Sequence, residues 1–243
     1  MNETKPNSNS NVAPNSADAL FEYLKEDFFP KHGTKVIIVL LIIAVALYAV
    51  VSNLKSSSEK EDVMAEELGK GLNYIYAGKG DSALVALEGS IQSGNLKGLP
   101  LAKASLLAGN IHLQNNSLDS AETLYKQAIS NASGVELIAS AAEHGLAVVA
   151  MERQNYPEAI SLLNAFANKY GRRTGDLAKR YAKTEPMDKV PTVPDALWKL
   201  TLCYLETSDK AKAAQTAEKI LKLYGDSQKA ADAAKLLATL TEK

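Results

Sequence analysis

Three alanines, Ala83, Ala121 and Ala159, stand at an interval of 38 residues, and their neighbours keep step with them. Gly71-Leu72-Asn73-Tyr74, Asp81-Ser82-Ala83-Leu84 and Leu87 align with Gly109-Asn110-Ile111-His112, Asp119-Ser120-Ala121-Glu122 and Tyr125. They align again with Ala147-Val148-Val149-Ala150, Pro157-Glu158-Ala159-Ile160 and Leu163. A fourth unit, Thr201, Tyr204, Lys212-Ala213 and Ala217, follows after 54 positions instead of 38, so sixteen extra residues enter before it. A fixed interval of this length means one supersecondary unit repeated, each copy burying its apolar face on the next. The β-branched alternation of strands is missing, and Ala, Leu, Lys and Glu dominate. The pattern predicts an all-α fold, with helices near 59–78, 80–93, 101–115, 118–131, 135–153, 156–170, 195–207, 210–224 and 227–241.

The repeating residues resemble the tetratricopeptide repeat, whose helix-turn-helix unit has a small residue on its first helix and alanines flanking a large apolar residue on its second. The second unit fits best, with Gly109, Leu118, Ala121, Tyr125 and Ala128 at family positions and His112 where an aromatic is usual. The third keeps Leu146, Ala147, Tyr156 and Ala159 but has Phe166 where a small residue is usual. The interval exceeds the family's repeat of about 34 residues. The resemblance implies an α-solenoid of about four such units, in which Gly and Ala let paired helices approach while Tyr and Leu fill the groove to the next pair. The helix Ser227–Thr241, started by Asp226-Ser227, is the expected cap, with Ala230, Ala233, Ala234, Leu237 and Leu240 facing back.

Ahead of the repeats lies Val36–Val51, sixteen residues without a charge, bounded by Lys35 and Lys55. A membrane-spanning helix needs roughly 17–25 mostly apolar residues, and the flanking lysines can reach the headgroups. The rival reading, a core helix, lacks enough other apolar chain to surround so uniform a cylinder. The expectation is a single transmembrane helix over 35–55. A long polar tail precedes the run and no cysteine closely follows it, so it reads as a retained anchor and not a cleaved signal. Residues 1–16 are rich in Asn, Ser and Pro and read as disordered. Residues 17–30 read as an amphipathic helix with Leu20, Phe21, Leu24 and Phe28 on one face, lying in the bilayer interface or on a partner. Residues 56–243 form the repeat domain. Lys25, Lys31 and Lys35 before the span, against acids after it, put the N-terminus in the cytoplasm and the repeats in the periplasm of a bacterial inner-membrane protein.

Composition narrows function by exclusion. The 27 basic and 28 acidic residues leave no basic surplus to neutralise phosphates, so no nucleic-acid partner is expected. The lone Cys203 reads as a small buried hydrophobe. His32, His112 and His144 lie apart, and no phosphate loop, nucleophile elbow or metal-ligand spacing occurs. Neither catalytic residues nor a metal, cofactor or small-molecule substrate is therefore expected, and the chain reads as a non-enzyme. In the repeat register Leu106, Asn110, Leu113, Gln114, His144, Val148, Met151, Trp198 and Leu202 fall on the first-helix face, which would line a peptide-binding groove. His144 has a plainer reading too, as a hydrogen-bonded structural imidazole. The insertion 171–193 carries Arg172, Arg173, Lys179, Arg180 and Lys183. It is either a solvated excursion or a contact for an acidic partner or anionic lipid.

The layout as a whole, from Ala17 to Lys243, resembles the YfgM-like ancillary subunit of the bacterial Sec translocon. The closest local match is the amphipathic segment Phe21–Gly33 just before the anchor, while the insertion 171–193 departs from that family's pattern. The resemblance implies contact with translocon subunits, periplasmic chaperones and unfolded clients, assisting exported or membrane proteins. The alternative is a repeat scaffold that tethers another envelope assembly, secretion or division complex.

Overall fold

The computed structural model describes residues 47–48 and 63–241. The chain divides into two compact units, 1–59 and 60–243. The expected tail 1–16, amphipathic helix 17–30 and span 35–55 lie outside the described residues, apart from the helical pair Leu47 and Tyr48. Among the described residues no helix is long and apolar enough to cross a membrane.

The second unit is helical throughout, with no strand among the described residues. Residues 63–76 form α1. There follow α2 Gly80–Gln92, α3 Gly98–Gln114, α4 Leu118–Asn131, α5 Glu136–Glu152, α6 Tyr156–Tyr170, α7 Leu177–Tyr181, α8 Val193–Glu206, α9 Lys210–Tyr224 and α10 Gln228–Thr241. The hairpins α1–α2, α3–α4, α5–α6 and α8–α9 are the four units, and α10 packs on α9 and α8 as the cap. Carboxylates in the first turns of α2, α4, α5, α6 and α8 oppose the positive helix ends, and Pro157 and Pro194 start α6 and α8 where a missing N–H costs nothing.

Every hairpin turns in the same way. Gly78, Asn116, Gln154 and Ser208 all adopt positive φ, between 57° and 69°. In each turn the following residue donates its N–H to a carbonyl five residues back: Lys79 to Tyr74, Ser117 to His112, Asn155 to Ala150 and Asp209 to Tyr204, at 2.8–2.9 Å. This is the Schellman closure, which satisfies carbonyls left open at a helix end.

The core is built from size-matched pairs at the register position of the small residue and its partner sixteen residues on. Gly71 sits on Leu87 and Gly109 on Tyr125, so close that a Cβ at either glycine would come within 3.0 Å of the partner ring or side chain. Ala147 and Leu163 hold these positions in the third unit, and both are fully buried. In the fourth the sizes are exchanged: Thr201 is on the first helix and Ala217 on the second, again fully buried. The Thr201 hydroxyl is satisfied by the Leu197 carbonyl at 3.0 Å. Between units, Gly145 of α5 also closes on Tyr125, where a Cβ would stand 2.5 Å from the ring. Tyr125 is thus clamped between two units, its hydroxyl donating to Asn110 Oδ1 at 2.8 Å, and burial pushes its phenol up to about 12.

The insertion corrects the expectation of a solvated excursion. It folds into a strap containing the short helix α7, which sequence periodicity had not marked. Glu185 accepts the backbone N–H groups of Thr174 and Gly175 at 3.1 and 2.7 Å and the Arg180 Nε at 2.8 Å. Asp188 accepts those of Arg172 and Arg173 at 2.7 and 3.2 Å. Arg173 and Arg180 both donate to the Leu223 carbonyl near the end of α9, at 3.1 and 3.0 Å. The orphan carbonyls of that helix end are a natural seat for two guanidinium groups.

Candidate protein-binding surfaces

The first helices of the second, third and fourth units, α3, α5 and α8, carry the residues expected to line a groove. Leu106 does not belong there. It is buried with Ala121, Tyr125 and Val149, because α3 is packed against α2, α4 and α5. Asn110 is exposed and faces the Tyr125 hydroxyl, and Gln114 is exposed at the end of α3. Leu113, Val148, Met151, Trp198 and Leu202 are half-buried. Met151 and Trp198 rest on the core shared by the third and fourth units. What they offer a partner is partly covered apolar surface with amides beside it, a composition suited to polypeptide.

His144 joins α5 to α8. Its Nε2 lies 3.1 Å from Asp195 Oδ2, within ion-pair distance but off the line of a hydrogen bond. Its ring meets Phe166 edge-on at 5.8 Å. Lys199 at 3.1 Å and Lys229 at 3.6 Å also converge on Asp195. His144 and the lysine charge hold the Asp195 carboxyl far below the usual carboxylate range. The cluster ties the third unit, the fourth unit and the cap together at one carboxylate. His112 makes a similar tie, with Nε2 2.7 Å from Glu88 Oε1 of α2.

Of the five basic residues expected to meet an acidic partner or lipid, the structure occupies two within the fold. Arg173 and Arg180 hold the end of α9, and the Arg180 guanidinium with the backbone N–H groups of Gly175 and Thr174 holds Glu185 down at about 2. Arg172, Lys179 and Lys183 are exposed, and Lys179 stands 3.9 Å from Asp176. The strap leaves a different feature beside it: a cleft of about 630 Å³ between α6, α8 and α9. No sequence signal marked it, since its lining is drawn from four separate segments.

Cys203 is fully buried, and that burial pushes its thiol up to about 11, so no thiolate is on offer. Among the described residues no group of three or more His, Cys, Asp or Glu side chains could hold a metal ion.

Known proteins place this architecture. A tetratricopeptide repeat-like domain matches residues 26–185, and a tetratricopeptide repeat matches residues 195–227. A tetratricopeptide repeat protein from Parabacteroides merdae ATCC 43184, known from its crystal structure, is similar with a TM-score of 0.54 and 18% identity. The likeness covers 72% of this chain and 58% of that one, so the chain spans less than two thirds of that protein's length. At this identity the likeness concerns fold alone. None of the curated proteins compared matches the sequence. The fold is typically that of a non-enzymatic protein-interaction module. Four hairpins with one shared turn, small-on-large pairs at fixed register and a domain match over most of the sequence all say the same thing: the chain belongs to the tetratricopeptide repeat-like domain family.

Proposed function

We propose that this chain is a membrane-anchored protein-interaction module of the bacterial inner membrane. Residues 35–55 are the anchor, the N-terminus is cytoplasmic and the repeats are periplasmic. It acts as an ancillary adaptor of the Sec translocon and of periplasmic chaperones, assisting exported or membrane proteins. The observation that carries this reading is the pairing of an uncharged run at 36–51 with a repeat stack whose first-helix face holds Val148, Met151, Trp198 and Leu202 half-buried. The domain match supports it by starting at residue 26, so that it includes the apolar run. Half-buried apolar side chains flanked by amides suit loosely structured polypeptide, and an anchor raises the local concentration of such a surface at the membrane. Arg172 and Lys183 remain available to an acidic partner or to headgroups.

The test is a photo-crosslinking side chain placed at position 148 or 202 in cells, with a periplasmic reporter fused after Lys243. Crosslinks to translocon subunits or periplasmic chaperones, with an active reporter, are expected. Crosslinks confined to cytoplasmic proteins, or an inactive reporter, would refute the reading.

A second reading, a scaffold for one envelope assembly, secretion or division complex, draws on the internal ties of the same face. His144–Asp195 and Tyr125–Asn110 fix its shape before any partner arrives. A preformed surface favours one folded partner over many unfolded ones. In that case Trp198→Ala or Met151→Ala abolishes one crosslink; under the adaptor reading several weaken together.

A further inference from the structure

The cleft between α6, α8 and α9 shares no lining residue with the groove expected on the first-helix face. We propose that it is a second binding site, and that it takes an extended acidic stretch of polypeptide. This proposal does not rest on the translocon reading.

Its floor is apolar, made by Ala167, Leu197, Leu200 and Leu223. Those residues are buried side chains of three different helices, and the cleft exists because the strap stands between the end of α6 and α9. The volume, about 630 Å³, is that of an ordinary ligand pocket and holds a few residues of extended chain. Asn168 and Gln215 are exposed on the lining, and neither side-chain amide has a partner among the described residues. A peptide in extended form presents N–H and C=O groups that need partners once they leave water, and free carboxamides can supply both. Asn164, by contrast, already donates to Ile160 and lies against Tyr204.

The charge selects the ligand. Four cations line the cleft, Arg173, Lys212, Lys219 and Lys222, against the one carboxylate Glu218. Arg173 faces Asp188 and Asp226, and Lys212 is 2.8 Å from Asp209. Lys219 and Lys222 have no carboxylate within ion-pair distance among the described residues. The stem of Lys222 is set in place by the strap: Gly175 comes so near that a Cβ there would lie 3.1 Å from Lys222 Cγ and Cε. A positive rim over an apolar floor attracts carboxylates and then rewards apolar side chains between them. A flat anionic bilayer could touch the rim but not the recessed leucines, so peptide fits the whole cleft and lipid only its edge.

The experiment uses the full chain in neutral detergent and a short fluorescein-labelled peptide alternating glutamate with leucine, read by fluorescence anisotropy. Saturable binding is expected, weakened by salt, with no binding of the same peptide carrying lysine for glutamate. The double variant K219E/K222E changes exposed positions of α9, and its circular dichroism is expected to match the parent. It should bind the acidic peptide at least about tenfold more weakly, the loss usual when complementary charge is turned to repulsion. Gln215→Trp should obstruct the cleft with its charges intact and give a similar loss. Equal affinity in either variant overturns the proposal, as does the absence of saturable binding at low salt. Short-chain phosphatidylglycerol that titrates the lysines while the peptide does not bind overturns it too.

Discussion

The junction between the second and third units and the junction between the third and fourth solve the same problem in opposite ways. At the first, Tyr125 of α4 stands between Gly109 and Gly145, and α3 packs directly on α5. Absence of side chain is what brings the helices together. At the second, sixteen extra residues intervene, and α5 reaches α8 through side chains converging on Asp195. There α6 and α8 share an apolar core, Asp195 adds a charged tie, the strap is fastened by arginines, and a cleft is left open beside it. The seam closed by glycines brings α3 directly onto α5, whereas the seam interrupted by a strap keeps both a cleft and, among the described residues, two lysines with no carboxylate in ion-pair distance.

This contrast can be broken most sharply at Tyr125. Tyr125→Ala empties a fully enclosed ring site walled by two units, and should cost about 3–5 kcal/mol in urea unfolding of the full chain. A loss under 1 kcal/mol would mean that the seam collapses readily and the two junctions are alike. Gly145→Ala forces a methyl into the Tyr125 ring and should cost about 1–3 kcal/mol, while the same change at exposed Gly89, where nothing lies within 4 Å, should not destabilise.

The charged junction answers to pH instead. The Arg180 guanidinium and the backbone N–H groups of Gly175 and Thr174 hold the Glu185 carboxyl down at about 2 in the fold, against an ordinary value of 4.5. Because the folded value is the lower one, its contribution is complete above about pH 4.5 and is lost as pH falls toward 2. Protection of the amides at 174 and 175, taken relative to intrinsic exchange at each pH, should therefore fall across that window, ahead of protection in α3 and α4; Glu185→Gln should show reduced protection at those amides already at neutral pH. Simultaneous loosening of both regions would erase the distinction. The smallest expected effect sharpens the baseline shared by all units. Gln154→Gly relieves a side chain held at φ 58° and should stabilise by about 1 kcal/mol, while Gly78→Ala should do the reverse.

How much of this could be read in advance differs from residue to residue. The alanine series at 83, 121 and 159 was legible because close helix approach tolerates so few side chains that one type recurs. The boundaries of α4, α6 and α9 follow from the same register. The left-handed turn position was not legible, since Gly78, Asn116, Gln154 and Ser208 share a backbone conformation and not a chemistry. Leu106 was placed on the open face because period alone does not count how many helices surround α3. Arg173 and Arg180 looked free because their partner is a backbone carbonyl some fifty and forty-three residues away, and a main-chain acceptor leaves no trace in side-chain pattern. The cleft was hidden for the same reason.

The ring of Tyr125 also decides where this array can be divided. A fragment ending at Ala132 would retain the tyrosine but lose the glycine that covers it, exposing an aromatic face to water and to other copies. A fragment ending at Tyr170 would keep both walls. That cut in turn strips Phe166 and Tyr170 of the strap and α8 side chains that bury them, so each place of division uncovers an aromatic of its own.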